Sequence, residues 1–106
     1  MSKEKPVLES KLQSKILRSA RGTFKGKIIA FKIDASIDGV PDLLMAIEGF
    51  GGVFIEVKRD IHSKPRPSQL FIIKKLRLAN LNVEVVNSWE SWIVLKNNIL
   101  AVISNK

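Results

Sequence analysis

The feature that most constrains this chain is a pair of apolar runs, DLLMAIE at 42 to 48 and VFIEVK at 53 to 58, separated only by Gly49, Phe50, Gly51 and Gly52. Glycine enters backbone regions closed to other residues, so so short a spacer predicts an antiparallel hairpin with the two runs as neighbouring strands. On a strand, successive side chains point to opposite faces. Glu56 and Lys58 therefore share one face, while Ile55 and Val57 point into the other. Asp42 begins the strand paired with the one that carries Glu56, which brings two carboxylates towards one point.

Other elements fall around this hairpin. Leu8, Leu12, Ile16 and Leu17 recur at helical spacing and predict an amphipathic helix from Val7 to about Ala20, with Pro6 just before it and Arg21 and Gly22 as its stop. GKIIAFKI at 26 to 33 reads as a strand ahead of the hairpin. Pro65 and Pro67 mark the charged segment RDIHSKPRPS as an exposed loop, after which Ser68 is the expected cap of a helix bearing Leu70, Phe71, Ile73, Leu76 and Leu78 and ending near Asn80. VEVV at 83 to 86 predicts a fourth strand, and a last helix follows Ser88, with a break expected at Asn97 and Asn98. The order is helix, three strands, helix, strand, helix: an α/β unit, read as one domain over 1–106 because 106 residues supply one modest core.

Composition narrows the function. No cysteine is present, which removes disulfides, thiolate metal sites and cysteine nucleophiles together. The apolar runs fall far short of the ~20 residues that cross a bilayer, and no apolar stretch follows the basic N-terminus, so no membrane partner is expected and the cytoplasm is the expected compartment. Eighteen Lys and Arg against ten Asp and Glu give a net charge of +8, and half of the bases lie in residues 1–32. Such an excess attracts a polyanion, with nucleic acid as the leading class, although charge alone also serves solubility.

Hydrolysis of a phosphodiester requires a neutralised phosphate and an activated water. Two carboxylates holding magnesium or manganese, with a lysine at the water, suit both needs. Singly, the motifs are common: an acid and a lysine spaced by one form ordinary solvated pairs in many sheets, and proline followed by aspartate is a frequent turn signal. His62, the single histidine, stands in the proline-bearing loop and reads as a surface residue; Trp89 and Trp92, three apart in an apolar stripe, read as core or subunit-interface packing.

Order and spacing distinguish the set. ESKLQSKI with Glu9, then GVPDL with Gly39, Pro41, Asp42 and Leu43, then FIEVK with Glu56 fourteen positions beyond Asp42, then PSQLFIIKKL with Gln69 and finally VEVV together resemble the VRR-NUC family of the PD-(D/E)XK nuclease superfamily along nearly the whole chain. The resemblance implies a restriction-endonuclease-like core of order α-β-β-β-α-β-α, a mixed sheet flanked by helices. It implies Mg²⁺ or Mn²⁺ held by Asp42, Glu56, the Val57 backbone carbonyl and Glu9, with Lys58 at the water and Gln69 completing the catalytic pocket. It further implies a metal-dependent DNA endonuclease resembling junction resolvases, acting on branched DNA such as a four-way junction as a homodimer, for which the apolar segment 89 to 103 is the expected interface. Where the family commonly shows a glycine after the second helix this chain has LANLN, and asparagine tolerates the same backbone geometry. The alternative is a non-catalytic basic nucleic-acid-binding module on the same scaffold; it is disfavoured because uncompensated carboxylates would repel a phosphate.

Overall fold

The computed structural model describes the backbone of residues 4–106 and the side chains of residues 9–106. Its elements run α1 (Glu4–Thr23), β1 (Ile28–Lys32), β2 (Leu43–Ile47), β3 (Gly51–Val57), α2 (Pro67–Leu78), β4 (Asn82–Val86) and α3 (Trp89–Ser104). The α-β-β-β-α-β-α order predicted from periodicity is present.

The four strands form one sheet in the order β1-β2-β3-β4. The hairpin is antiparallel with Leu43 opposite Ile55 and Ile47 opposite Gly51, and its turn uses Gly49 and Gly51 at φ 85° and 112°. Only residues without a Cβ take such angles without strain. β4 lies parallel to β3, a pairing that needs a crossover, and α2 supplies it.

Alternation divides the sheet into two faces. Leu43, Met45, Ile47, Val53, Ile55, Val57 and Val86 meet Ile16, Leu17 and Ala20 of α1, Phe24, and Trp92 and Ile99 of α3 in one buried core. The intervening residues of β3, Phe54 and Glu56, face the opposite way, towards α2. That helix packs on β4, so the β1 end of its face stays open, with Ile29 67% and Phe31 44% exposed. Trp92 is fully buried, and its indole Nε1 donates to Ser19 Oγ at 3.0 Å, which satisfies the one polar atom its burial would strand. Trp92 is therefore core, as its spacing predicted; Trp89 is partly buried against the same cluster.

Four boundaries differ from expectation, each for a local reason. α1 begins at Glu4, so Pro6 falls in its first turn, where a missing N–H costs no helical bond; the expected apolar role of Leu8 lies outside the described side chains. The helix also passes Arg21 and Gly22 to reach Thr23, and the reversal comes at Gly26, φ 80°. α2 is not capped by Ser68: Pro67 opens it, where a fixed φ is already helical, and Arg66 is the N-cap. Its end is as predicted, with Asn80 left-handed at φ 67°. α3 runs unbroken through Asn97 and Asn98, because a buried Ile99 ties the following turn to the core and outweighs the weak helix propensity of asparagine. Ser88 caps it, accepting from the Ser91 N–H at 3.0 Å.

Candidate active site

Asp42 stands at the mouth of β2, where Pro41 is buried. Its Oδ2 accepts from the Val57 N–H at 2.8 Å, which fastens the carboxylate to the end of β3. Continuing the β2–β3 register by two residues sets Pro41 opposite Val57. In an extended strand the N–H and C=O of one residue point to the same side. The Val57 carbonyl thus faces the Asp42 side, and proline has no N–H to offer it.

Glu56 is 1% exposed on the α2 face of β3. Its Oε2 accepts from Gln69 Nε2 at 2.7 Å and lies 3.1 Å from Lys58 Nζ. Lys58, one residue beyond the strand and 8% exposed, donates to Gln69 Oε1 at 2.8 Å, and the same oxygen accepts the Arg66 N–H at 2.8 Å. Lysine and a backbone N–H are donors only, so the orientation of the Gln69 amide is fixed by its partners. As the third residue of α2, Gln69 also satisfies one of the free donors at the helix start, a task Arg66 has no acceptor to perform.

The other oxygen, Glu56 Oε1, is buried without a hydrogen-bond partner. Burial, and then the neighbouring Asp42 charge, push the Glu56 carboxyl up from 4.5 to about 7, against the pull of Lys58. Asp42 is also raised, by burial first, although the Val57 N–H and the Lys58 charge oppose this. Two like charges are crowded into a poorly hydrated corner with one oxygen unsatisfied, an environment in which a bound cation would neutralise both acids. The donor set, all oxygen, matches a hard divalent ion.

Five of the residues singled out from sequence thus converge: Asp42, Glu56, Val57, Lys58 and Gln69. Glu9 does not join them as a third ligand. Its charge reaches Glu56, raising that carboxyl further, but among the described residues no group of three or more acids or histidines is close enough together to hold a metal. His62 is exposed in the 58–66 loop, as expected.

Gly39 does more than its place in the GVPDL motif revealed. It sits at φ 91°, and a Cβ there would lie 2.5 Å from the Ser68 carbonyl oxygen, so the loop before Asp42 can approach the start of α2 only because this residue lacks a side chain. The left-handed angle was within reach of sequence reasoning; the approach to Ser68, twenty-nine positions away, was not.

No family model and no curated protein matches this sequence. Among solved structures, a chain described as "VRR_NUC domain" superposes with a TM-score of 0.68 at 29% identity, over 80% of this chain and 94% of that one. A second, described as "VRR_NUC domain protein", gives a TM-score of 0.64 over 85% of this chain and 88% of that one, and at 18% identity its likeness is one of fold. The element order, the ordered motifs and this shared architecture agree, and the chain is similar in fold to VRR_NUC domains.

Proposed function

We propose that this chain is a divalent-metal-dependent DNA endonuclease, with Mg²⁺ or Mn²⁺ as cofactor, acting on branched DNA such as a four-way junction. One observation carries the proposal: Glu56, buried beside Asp42, keeps an oxygen with no partner. A carboxylate kept solely for folding would be exposed or fully hydrogen-bonded.

Asp42, Glu56 and the Val57 carbonyl would hold the ion, which supplies charge neutralisation on the phosphate and acidifies water. The remaining work belongs to the chain. Lys58 presents its ammonium to the same corner, where it can orient a water and offset charge developing on the phosphate oxygens. Gln69 keeps Lys58 and Glu56 at their separation. Glu9, set back from the pair, would act through bridging water rather than as a direct ligand. The net charge of +8 draws the polyanion to the site.

A homodimer is part of the same proposal. The expected interface segment forms α3, which leaves Val94 and Val102 exposed beside a groove closed by Val85 and Val86. Two such copies would present one site to each of two opposed strands.

Cleavage of a four-way junction, a splayed arm and a linear duplex, each with Mg²⁺ or Mn²⁺, tests the activity. Metal-dependent cuts absent from Lys58→Ala support it. Nucleic-acid binding with no cleavage under any metal would leave the non-catalytic binding module instead.

A further inference from the structure

The helix α2 is apolar on two sides. Its inner side, with Gln69, Ile72, Ile73 and Leu76, is buried or half-buried against the sheet. Its outer side carries Leu70, Phe71 and Leu78 at 53%, 59% and 69% exposure. Single exposed apolar residues are ordinary, but three large ones on one face of one helix mark a surface that something covers.

Positions 70, 74 and 78 follow one another a turn apart, and 71 and 75 run beside them, so the stripe is apolar at both ends with Lys74 and Lys75 at its middle. Lys75 Nζ stands 5.7 Å from the Phe71 ring centre, and among the described residues neither lysine forms a salt bridge. From Pro67 to Leu78 the helix contains no acid. Its remaining cation is engaged elsewhere: Arg77 donates to the Val83 carbonyl at 2.7 Å. With Gln69 bound to Glu56 near the other end, the helix and its outer stripe are held fixed on the sheet.

The two central lysines decide what fits the stripe. A second copy laid antiparallel across a twofold axis would set middle against middle, lysine against lysine. A bilayer takes up apolar side chains with cations at their rim, whereas here the cations stand between the apolar ends and would be carried inwards with them. A phosphate backbone would pair with the lysines and leave Phe71 and Leu78 uncovered against a polyanion. A helix with carboxylates at its centre and apolar side chains a heptad apart satisfies both parts, because Phe71 and Leu78 are themselves seven positions apart. We propose that the outer face of α2 docks an acidic amphipathic helix of a partner protein, its apolar side chains on Leu70, Phe71 and Leu78 and its carboxylates on Lys74 and Lys75. The seat begins one residue after Gln69, so such a partner is held beside the candidate site. The docking face does not depend on the nuclease reading.

The probe is a fluorescein-labelled stapled helix with leucines at i, i+3, i+7 and i+10 and glutamates between them, paired with a version in which every glutamate is lysine. Fluorescence anisotropy measures both on the full chain. The acidic helix should bind at least about tenfold more tightly than the lysine helix. Phe71→Ala and Leu78→Ala should each weaken it by about tenfold, with urea midpoints unchanged because both side chains are exposed. Lys74→Glu combined with Lys75→Glu should invert the preference, making the lysine helix the tighter ligand, a result that a folding defect does not produce. Equal affinity for the two helices, insensitivity to Phe71→Ala, or a preference that survives the charge reversal would each overturn the docking face. A Phe71→Ala loss of the same size in sedimentation with phosphatidylserine vesicles, or in affinity for a blunt DNA duplex, would overturn it in favour of a bilayer or of nucleic acid. Self-association in light scattering that Phe71→Ala abolishes would overturn it in favour of a second copy.

Discussion

Gln69 donates through Nε2 to Glu56 Oε2 at 2.7 Å, from the first turn of a helix to the second-last residue of a strand. With its other atom it accepts from Lys58 and from the Arg66 N–H. One side chain thereby sets the distance between the acid and the base of the candidate site and anchors both to the start of α2.

Replacing Gln69 with Ala should therefore lower metal-dependent cleavage by about a hundredfold, the usual effect of letting catalytic groups drift by an ångström. Leaving Glu56 and Lys58 without their shared partner should also cost about 1–3 kcal/mol of stability. Turnover and urea unfolding of the same preparation separate the two effects, and unchanged turnover would remove Gln69 from the site.

Stability should fall as pH rises when metal is absent. Glu56 binds its proton more tightly folded, at about 7, than at the ordinary 4.5. Between those values the native state holds more protons than the unfolded one, so raising the pH favours unfolding, with a total on the order of 3 kcal/mol reached above pH 7. Urea titrations in EDTA at pH 5 and pH 8 measure the slope, and Glu56→Gln should flatten it.

Added Mg²⁺ or Mn²⁺ should reverse that loss. An ion that binds only the folded state raises stability by mass action, and deprotonated carboxylates bind it better, so the rise in melting temperature should be larger at pH 8 than at pH 5. Asp42→Asn and Glu56→Gln should each abolish it. A shift that survives both variants would place the ion elsewhere.

Gly39→Ala should destabilise by about 2–4 kcal/mol, combining an unfavourable left-handed φ with a Cβ driven into the Ser68 carbonyl. Because that loop delivers Asp42, cleavage should fall further than the loss of folded protein accounts for. Ser68→Ala, which leaves the carbonyl in place, should not rescue it.

Trp92→Phe removes the indole donor to Ser19 Oγ and should cost about 1 kcal/mol, whereas Trp92→Ala empties the space between α1 and α3 and should cost about 3–5 kcal/mol. Chemical denaturation gives both values.

The sequence by itself determined the hairpin, because two apolar runs with a glycine-rich spacer leave the chain few alternatives, and it determined which face carries Glu56, because strand alternation is a local property of the backbone. It also determined the order of the elements, since periodicity is set by neighbours along the chain. Boundaries were less legible where local signals competed: Pro67 opened the helix that Ser68 was expected to cap, and Ile99 carried α3 past two asparagines through packing with distant residues. For Asp42, Glu56 and Lys58 the motifs named the participants of the candidate site. Only the tertiary structure decided that Gln69 bridges two of them, that Glu56 Oε1 is left without a partner, that Glu9 stands back, and that Gly39 must pass under Ser68. Those relationships join residues far apart in the chain, and their burial and distances exist only once the helices have closed on the sheet.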